Sequence, residues 1–598
     1  MRYPKLRSKE ASRQMVDTFK GYNHNLRIGD GEFFDMKNMT SDHYPVLSPR
    51  GKRGDPFPTK PPHNPQALIA KDSLCYVDGS KFVINEKSYD MGLSDEPKQL
   101  ISMGAYVIIM PDKKYFNTED HSDYGNIEAF YQVPEYQPVY YEMCKIDGTE
   151  YVGVEKGTSP PENPKEKPLW IDQSSTPHVL KQYSETNAVW TQIATTYIKI
   201  SATNIAKQFN QYDAVTITGF PKESSQLSEM DGITYPLWEA YHDPGDDEDG
   251  REEGENDYIV IVGILDEAKG YESNLRLERT MPIMDFVIES DNRLFGCRYG
   301  TAANGQVVNE IYASKLGDFR NWNCFMQIST DSWVGGVGTD GQFTGAITHM
   351  GYPLFFKENC VHKVYGKYPA NFQIQTTACR GVQKHCDRSL AIVNETLFYK
   401  ARNAVCAYDG SLPTEVSYAM GNESYSEAVG GSHGNKYYIS MKDASGNYNL
   451  FVYDIAKGMW HKEDDLQVDY FCSCRGEMYA ISNGKIITML GSGEKDSADV
   501  EWMVETGEIG ISSPDMKYIS RITLRMSMDI GAEVGVYAQY DNSDEWECQC
   551  VLTSNNLRSF SIPIRPKRCD YMKLRIEGVG NVKIYSITKT IEQGSELS

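Results

Sequence analysis

Hydrophobic and polar positions alternate along residues 284–366, and Gly, Asn or Asp interrupts the alternation at short intervals. Alternation with a period of two, closed by turn residues, is typical of half-buried antiparallel strands joined by tight turns. The same arrangement recurs at 389–409 and at 437–454. Small up-and-down sheets of about four strands that repeat at roughly 40 to 50 residues are typical of one fold. The pattern therefore predicts a β-propeller.

The pattern changes elsewhere in the chain, and at 598 residues the protein is too long for one ordinary core. We predict an all-β fold in which a β-propeller of about five to seven blades carries an inserted small β domain and a C-terminal β-sandwich-like region. The first residues read as an arm, helical at most over Ser8–Phe19. The predicted regions are 1–65 (arm and lead-in strand), 66–188 (first blades), 189–266 (inserted domain), 267–499 (remaining blades) and 500–598 (C-terminal region).

The balance of charge is strongly acidic, with 83 Asp and Glu against 60 Lys and Arg and a formal net charge of −23. Such a surface repels phosphate backbones, which argues against tight nucleic-acid binding. The same surface would suit a wall along which DNA slides without adhering. The sign of the charge does not decide between these interpretations.

The thirteen cysteines are scattered without a zinc-ligand array, and we interpret them as buried thiols of a reducing compartment. This interpretation places assembly in a cytoplasm. The sequence contains no run of about 18 apolar residues, so stable membrane insertion is not expected. The N-terminal segment is basic and polar, unlike a secretory signal.

Motifs that would carry chemistry are not evident. We find neither G-x-S-x-G, H-E-x-x-H nor a phosphate-binding glycine loop on a supporting framework, and this absence is weak evidence against an enzyme. His385, Cys386 and Cys379 do not favour a metal site, since adjacent residues of a strand face opposite ways. The acidic stretch 243–259 lacks the spacing of a calcium loop and reads as a solvated hairpin tip.

Two turns support a different function. The fragments 329–338 and 313–322 partly match the Ser-x-Asp-x-Gly-x-x-Trp turn of sialidase-type propellers. They are equally explained as hairpins that end blades, with Trp322 and Trp333 packed between sheets. The alternative function is therefore a propeller that binds or cleaves glycans, such as a receptor-recognition protein.

Charged residues near the same turns are candidates for contacts between subunits. They lie amid apolar strands and are Arg293, Arg298, Arg320 and Asp318. Salt bridges at blade edges would explain them structurally, and contacts between copies would explain them functionally.

Several segments resemble a known family. NRLFGCRYG, NEIYASKLGDFRNW, TDGQFTGAITHMGYPLFFKENCVHKVYG and DMKNMTSDHYPVLSPRGKRG resemble segments of the tail-nozzle and tail-hub proteins of short-tailed bacteriophages, also called stabilisation or head-completion proteins. The resemblance covers about residues 26 to 500 and is one of pattern more than of identity.

The resemblance implies a structural protein of the virion tail, and we therefore predict that the protein is not an enzyme and uses no cofactor. Copies would form a closed ring, a hexamer, beneath the portal or adaptor, and the ring would retain and then conduct the double-stranded DNA genome. Heterologous contacts close such rings, and an acidic lumen would let DNA pass. A third possibility is an intracellular propeller scaffold that binds host proteins.

Overall fold

The computed structural model describes residues 11–245, 252–302, 305–496, 498–512, 516–541, 543–553, 558–564 and 567–593. These ranges consist mainly of strands, with one short helix at Ser225–Ser228 and 3-10 turns at Pro369–Asn371, Asp387–Ser389 and Tyr418–Met420. The chain contains 40 Tyr, and aromatic side chains fit a pleated, half-buried surface.

Seven groups of four strands, here called blades 1 to 7, follow one another along the described chain. Blade 1 contains Pro65–Ala70, Leu74–Asp78, Lys81–Ile84 and Lys87–Asp90, and blade 2 contains Gln99–Met103, Tyr106–Met110, Lys114–Asn117 and Tyr124–Asn126. Blade 3 contains Phe286–Ser290, Arg293–Thr301, Val307–Ala313 and Trp333–Gly336. Blade 4 contains Gly345–His349, Tyr352–Lys357, Cys360–Tyr365 and Gln373–Ala378. Blade 5 contains Ala391–Val393, Thr396–Ala401, Ala404–Tyr408 and Thr414–Glu415. Blade 6 contains Tyr425–His433, Lys436–Asp443, Tyr448–Asp454 and Met459–Lys462. Blade 7 contains Tyr470–Cys474, Glu477–Ser482, Lys485–Thr488 and the N-terminal strand Gly54–Asp55. The predicted fold class, a β-propeller with an inserted β domain and a C-terminal β-sandwich, is confirmed.

The chain divides into two compact units, of which the first comprises residues up to 100, 341–363 and 375 onward, and the second comprises 101–340 and 364–374. In the first unit, an N-terminal strand completes the last blade. Gly54 pairs with Thr488, and Asp55 pairs with Glu494 on a further strand, Glu494–Lys495. A Cβ atom at Gly54 would lie 2.2 Å from the carbonyl oxygen of Ser492, so only glycine fits this crossing.

The segment that leads to Gly54 is fixed by a buried cluster of charges. The Arg53 guanidinium lies 3.0 Å from Glu463 and 2.6 Å from Asp464, and Arg50 lies 3.1 Å from Asp464. Burial raises the pKa of Glu463, and the arginines only partly oppose this. Burial alone would also raise the pKa of Asp464, but Arg53 and Arg50 outweigh it and the pKa is lowered. The cluster ties the lead-in segment to the chain just after blade 6.

The inserted domain, in the second unit, is larger than the sequence predicts. Pro138–Cys144 pairs antiparallel with Tyr197–Ser201, and Ala129–Gln132 pairs with Arg276–Arg279, so strands on both sides of 189–266 belong to it. One of its two sheets contains Ala129–Gln132, Arg276–Arg279, Ala214–Thr218 and Ile233–Pro236. The other contains Glu239–Tyr241, Tyr258–Val262, Tyr197–Ser201, Pro138–Cys144 and Lys269–Glu272. A separate sheet contains Val154–Gly157, Leu169–Asp172, Val179–Ser184 and Val189–Gln192.

The predicted boundaries at 189 and 266 are therefore wrong. Residues from 129 onward alternate like a blade strand, and their partners lie far along the chain, which a local pattern cannot reveal. The predicted hairpin tip at 243–259 contains 246–251, which lie outside the described residues.

The C-terminal sandwich, in the first unit, contains strands from both ends of the chain. One sheet contains Ala11–Val16, Val582–Gln593, Lys517–Met528, Arg558–Pro563 and Arg568–Cys569. The other continues the sheet of blade 6 through Gly21–Tyr22, Glu32–Lys37, Glu501–Thr506, Met572–Val579, Glu533–Tyr540 and Glu547–Thr553. Two short strands, Met39–Thr40 and Ser48–Pro49, pair with each other and follow Glu32–Lys37 in sequence.

The prediction that the N-terminal arm is helical at most over Ser8–Phe19 is wrong for the described part. Ala11 pairs with Glu592 and Val16 with Ile587, so Ala11–Val16 is a strand, and residues 17–19 are not helical. Pairing with a distant strand outweighs the weak local preference for helix. The thirteen cysteines are free thiols, most of them buried.

Replacing Arg53 by Met should lower the free energy of unfolding by about 3 kcal/mol, because Glu463 and Asp464 would lose their closest cation inside the protein. Urea denaturation followed by tryptophan fluorescence measures this change. Lys442→Met is the control, since Lys442 and Glu427 form an exposed pair whose loss should cost less than about 1 kcal/mol. Equal effects of the two substitutions would contradict a structural role for the cluster.

A second prediction concerns pH. Burial lowers the pKa of His461, which is 4 % exposed, to about 4. The unfolded chain binds a proton on this histidine near pH 6.5, whereas the folded chain does not, so stability should fall as pH drops from about 6.5 to about 4. His461→Gln should make the free energy of unfolding less dependent on pH across this range. An unchanged pH profile would show that His461 does not contribute.

Candidate functional site

The predicted subunit contacts all lie in blade 3 or its last connection, and the structure gives them different roles. Arg293 is 1 % exposed. Its guanidinium donates hydrogen bonds to the carbonyl oxygens of Ser314 at 2.7 Å, Asp331 at 2.6 Å and Ser329 at 2.8 Å. The prediction that Arg293 contacts another subunit is therefore wrong, because its side chain is buried and bonds to carbonyl oxygens of its own blade and connection.

Asp318 and Arg320 are half-buried on the connection between Val307–Ala313 and Trp333–Gly336, and Arg298 is half-buried on a strand. Asp318 accepts hydrogen bonds from the backbone N–H of Arg320 at 3.0 Å and from the Asn321 amide at 2.5 Å. The Arg320 Nε atom lies 3.7 Å from Asp318. The geometry shows an internal turn, and contacts of these three residues with another chain stay a prediction.

The two sialidase-like turns serve packing in this structure. Trp322 is 2 % exposed and donates its indole N–H to the carbonyl oxygen of Phe319 at 2.9 Å. Trp333 packs edge-on against Phe372, with ring centroids 5.4 Å apart. Within the described ranges, no group of three or more His, Cys, Asp and Glu side chains is placed to hold a metal ion.

A different place has the shape of a binding site, and the sequence analysis did not identify it. A groove of about 350 Å³ lies beside blade 5, in the first unit. Its lining combines charged and amide side chains with one exposed aromatic ring, and its side chains are those of Asn25, Lys400, Arg402, Asn403, Glu415, Ser417, Tyr418, Asn422, Glu423, Ser424 and Tyr425 among others. We call it the Tyr418 groove.

Tyr418 begins the 3-10 turn Tyr418–Met420 and is 77 % exposed. The turn is held by the N-terminal segment, because His24 donates its backbone N–H to Ala419 at 2.7 Å and Asn25 donates its amide to the Tyr418 carbonyl at 2.9 Å. Gly421 follows with φ 68°, and a Cβ atom there would lie 2.6 Å from the carbonyl oxygen of His24. Glycine at 421 therefore lets the turn approach the N-terminal segment at His24, and the Tyr418 ring remains exposed to solvent.

The base of the groove is polar but internally satisfied. Lys400 is 3 % exposed and donates to the Gln383 side chain at 2.9 Å and to the Ala401 carbonyl at 2.5 Å. Burial lowers the pKa of this ammonium group. Ser417 accepts the backbone N–H of Val405 at 3.0 Å. These contacts fix the hairpin of blade 5, so the groove has a rigid base.

The rim of the groove carries the groups that remain accessible. Glu415 is exposed and pairs with Arg380 at 2.8 Å, and this pairing raises the pKa of Arg380. Arg402, Asn422 and Glu423 are exposed as well. The rim therefore offers a flat aromatic face together with amide, carboxylate and guanidinium groups that form hydrogen bonds in fixed planes. The turn residues 421–424, Gly-Asn-Glu-Ser after Tyr418, were the available sequence signal for an exposed polar loop.

Comparison with known proteins gives a limited result. No family model matches the chain, and no curated protein matches it. Among solved structures, the chain is similar to an exo-β-1,3-galactanase from Phanerochaete chrysosporium, with 9 % identity, 51 % of this chain and 94 % of that chain covered, and a TM-score of 0.21. It is also similar to U3-55K, with 6 % identity, 71 % and 94 % covered, and a TM-score of 0.26.

A third similar structure is a glycoside hydrolase family 43 arabinoxylan arabinofuranohydrolase from Bacillus subtilis, with 8 % identity, 52 % and 95 % covered, and a TM-score of 0.19. The prediction that the protein is not an enzyme is corrected by this comparison, because two of these three structures are glycoside hydrolases. TM-scores this low carry no argument for an activity or a substrate.

The phage-tail resemblance, the ring, its portal and DNA partners and its place in a virion are untested by these comparisons and stay predictions. In the described residues, no helix is long and apolar enough to span a membrane.

Proposed function

We propose that the protein is a glycan-binding β-propeller protein and that the Tyr418 groove is its recognition site. The observation that carries the proposal is the ring of Tyr418, 77 % exposed at the rim of the groove. A sugar ring has an apolar C–H face that packs on an aromatic ring and a periphery of hydroxyl groups. Asn422, Glu423 and Arg402 supply acceptors and donors for those hydroxyl groups on the same rim.

The Tyr418 groove is ordered before a ligand binds, so binding does not have to order its turn. The hydrogen bonds from His24 and Asn25 hold the Tyr418 turn in place before any ligand arrives. A binder that is already ordered avoids the entropy cost of fixing loops and side chains upon association. The groove volume of about 350 Å³ is at the small end for ligand sites, and suits one or two sugar units.

Tyr418→Ala should weaken binding of a glycan by about two- to tenfold, since an aromatic contact is worth about 0.5–1.5 kcal/mol. A glycan array with the whole protein identifies the ligand, and titration calorimetry then compares the variants. Tyr418→Phe keeps the aromatic face and is the matched control. No binding to any array glycan, or equal affinity of the alanine variant, would overturn the proposal.

The same preparations can separate binding from cleavage. Two carboxylates, Glu415 and Glu423, line the groove, and glycoside hydrolysis uses a pair of carboxyl groups. Release of sugar from aryl glycosides that disappears in both Glu415→Gln and Glu423→Gln would assign hydrolysis to this groove.

A second candidate function, a subunit of a virion tail ring, is favoured by an exposed apolar surface on blade 3. Phe325 is 59 %, Ile328 47 % and Leu316 40 % exposed. The backbone N–H of Leu316 donates to Thr330 at 2.9 Å, so these side chains share one compact connection. Arg293 holds the same connection from beneath through Ser329 and Asp331. Exposed apolar patches of soluble proteins commonly mark interaction sites.

If copies assemble through this connection, light scattering of the purified chain should give a multiple of 67.6 kDa and negative-stain images should show closed rings. Phe325→Ser should shift the mass towards one chain, because it removes the most exposed apolar side chain of the connection. Val307→Ser, at another exposed apolar position of blade 3, is the control. A wild-type chain that stays monomeric, even when portal-bearing capsids are added, would overturn this function.

A further inference from the structure

The C-terminal sandwich has a groove of its own, of about 610 Å³, on the outer face of the sheet that contains Glu501–Thr506, Met572–Val579 and Glu533–Tyr540. We call it the Tyr537 groove. Five residues lie opposite one another across five neighbouring strands and form a row on this face: Lys37, Met503, Glu577, Gly535 and Val551. Glycine in this row leaves a notch between a carboxylate and an apolar side chain.

Tyr537, two residues along the same strand, covers the notch. A Cβ atom at Gly535 would lie 2.8 Å from the Tyr537 ring, so the ring lies over the glycine backbone. At Gly578 a Cβ atom would lie 2.3 Å from the Glu533 carbonyl oxygen and 2.7 Å from the Trp502 ring. Gly535 therefore makes room for the Tyr537 ring on the groove face, and Gly578 lets the sheet pack closely against Trp502 on its other face.

The charged side chains of this groove are mostly acidic. Its charged side chains are Glu501, Glu533, Glu577 and Lys37. Lys37 lies 3.3 Å from Glu501, so its charge is partly compensated within the groove. Glu533 and Glu577 lie on neighbouring strands, where Gly535 is the residue opposite Glu577. An occupant that carries positive charge would thus be attracted, whereas an acidic one would be repelled.

We propose that the Tyr537 groove is a second saccharide site, selective for chains that carry protonated amino groups. The proposal rests on the proposed glycan-binding function. The Tyr537 ring and the exposed Val551 and Val579 offer an apolar surface for the C–H face of a sugar. Carboxylates accept hydrogen bonds from hydroxyl groups and, more strongly, from ammonium groups. Charge complementarity selects an amino sugar over a uronic or sialic acid.

Trp502 allows binding at this groove to be observed separately from binding at the Tyr418 groove. Its ring lies beneath Gly578, and its indole N–H donates to Gly580 at 3.1 Å. The whole protein, labelled with 5-fluorotryptophan, would be titrated with glucosamine hexamer, and Trp502→Phe would assign the fluorine resonance. We expect a saturable shift of the Trp502 signal, weaker at high salt and absent with oligogalacturonate.

Two substitutions test the chemistry of the groove. Tyr537→Ala should weaken the affinity for the hexamer by about two- to tenfold through loss of the ring contact. Glu577→Gln should weaken the affinity to a similar degree and reduce its salt dependence. Glu545→Gln, at an exposed glutamate absent from the groove lining, is the matched control. Tyr418→Ala should leave the Trp502 titration unchanged.

A Trp502 signal that does not move, while hexamer binding is lost in Tyr418→Ala, would overturn this proposal and leave the proposed function standing. An array without any glycan ligand, together with a silent Trp502 signal, would overturn both. An equal Trp502 shift with hexalysine would overturn the saccharide assignment in favour of a basic peptide. A titration that weakens in Tyr537→Ala and in Glu577→Gln but not in Glu545→Gln would support it.

Discussion

The buried charges of Arg50, Arg53, Glu463 and Asp464 are the constraint on which the first unit depends. They hold the N-terminal segment against the chain that leaves blade 6. From that point the segment supplies a strand to blade 7, and its earlier residues supply strands to both sheets of the sandwich. Breaking a buried ion pair leaves an uncompensated charge, which is costly. The cluster therefore secures three sheets whose partners are hundreds of residues apart in sequence.

The same N-terminal segment also builds the two grooves. Asn25 and His24 hold the Tyr418 turn, and Lys37 ends the row of the Tyr537 groove. In both places a glycine lies next to an aromatic residue: Gly421 lets the His24 carbonyl approach beside Tyr418, and Gly535 makes room for the Tyr537 ring. A Cβ atom at either glycine would disturb these contacts, so the glycines help to fix the shape of the grooves.

The propeller could be predicted from the sequence because blades 1 to 6 are local: alternation and turn residues lie within about 50 residues, and neighbouring strands pair. Blade 7 is the exception, since Gly54–Asp55 completes it from the N-terminal segment. The inserted domain could not be bounded, since Pro138–Cys144 looks like a blade strand and its partner lies at 197–201. The charged residues of blade 3 could be identified in the sequence, but their role depends on burial, which the sequence does not show. Arg293 is buried within the protein. Tyr418 and Tyr537 were not singled out, because exposure of one tyrosine among 40 is a tertiary property.

Recognition of a glycan and assembly of several copies would reinforce each other. A single shallow groove holds a sugar weakly, because much of the interaction replaces contacts with water. Two grooves in one unit, or the same groove repeated in a ring, make later binding events intramolecular and raise the effective concentration of ligand. Glycan binding would then depend on how many copies are linked and on how densely the sugar is displayed. Tight binding by an isolated chain is not required for either proposed function.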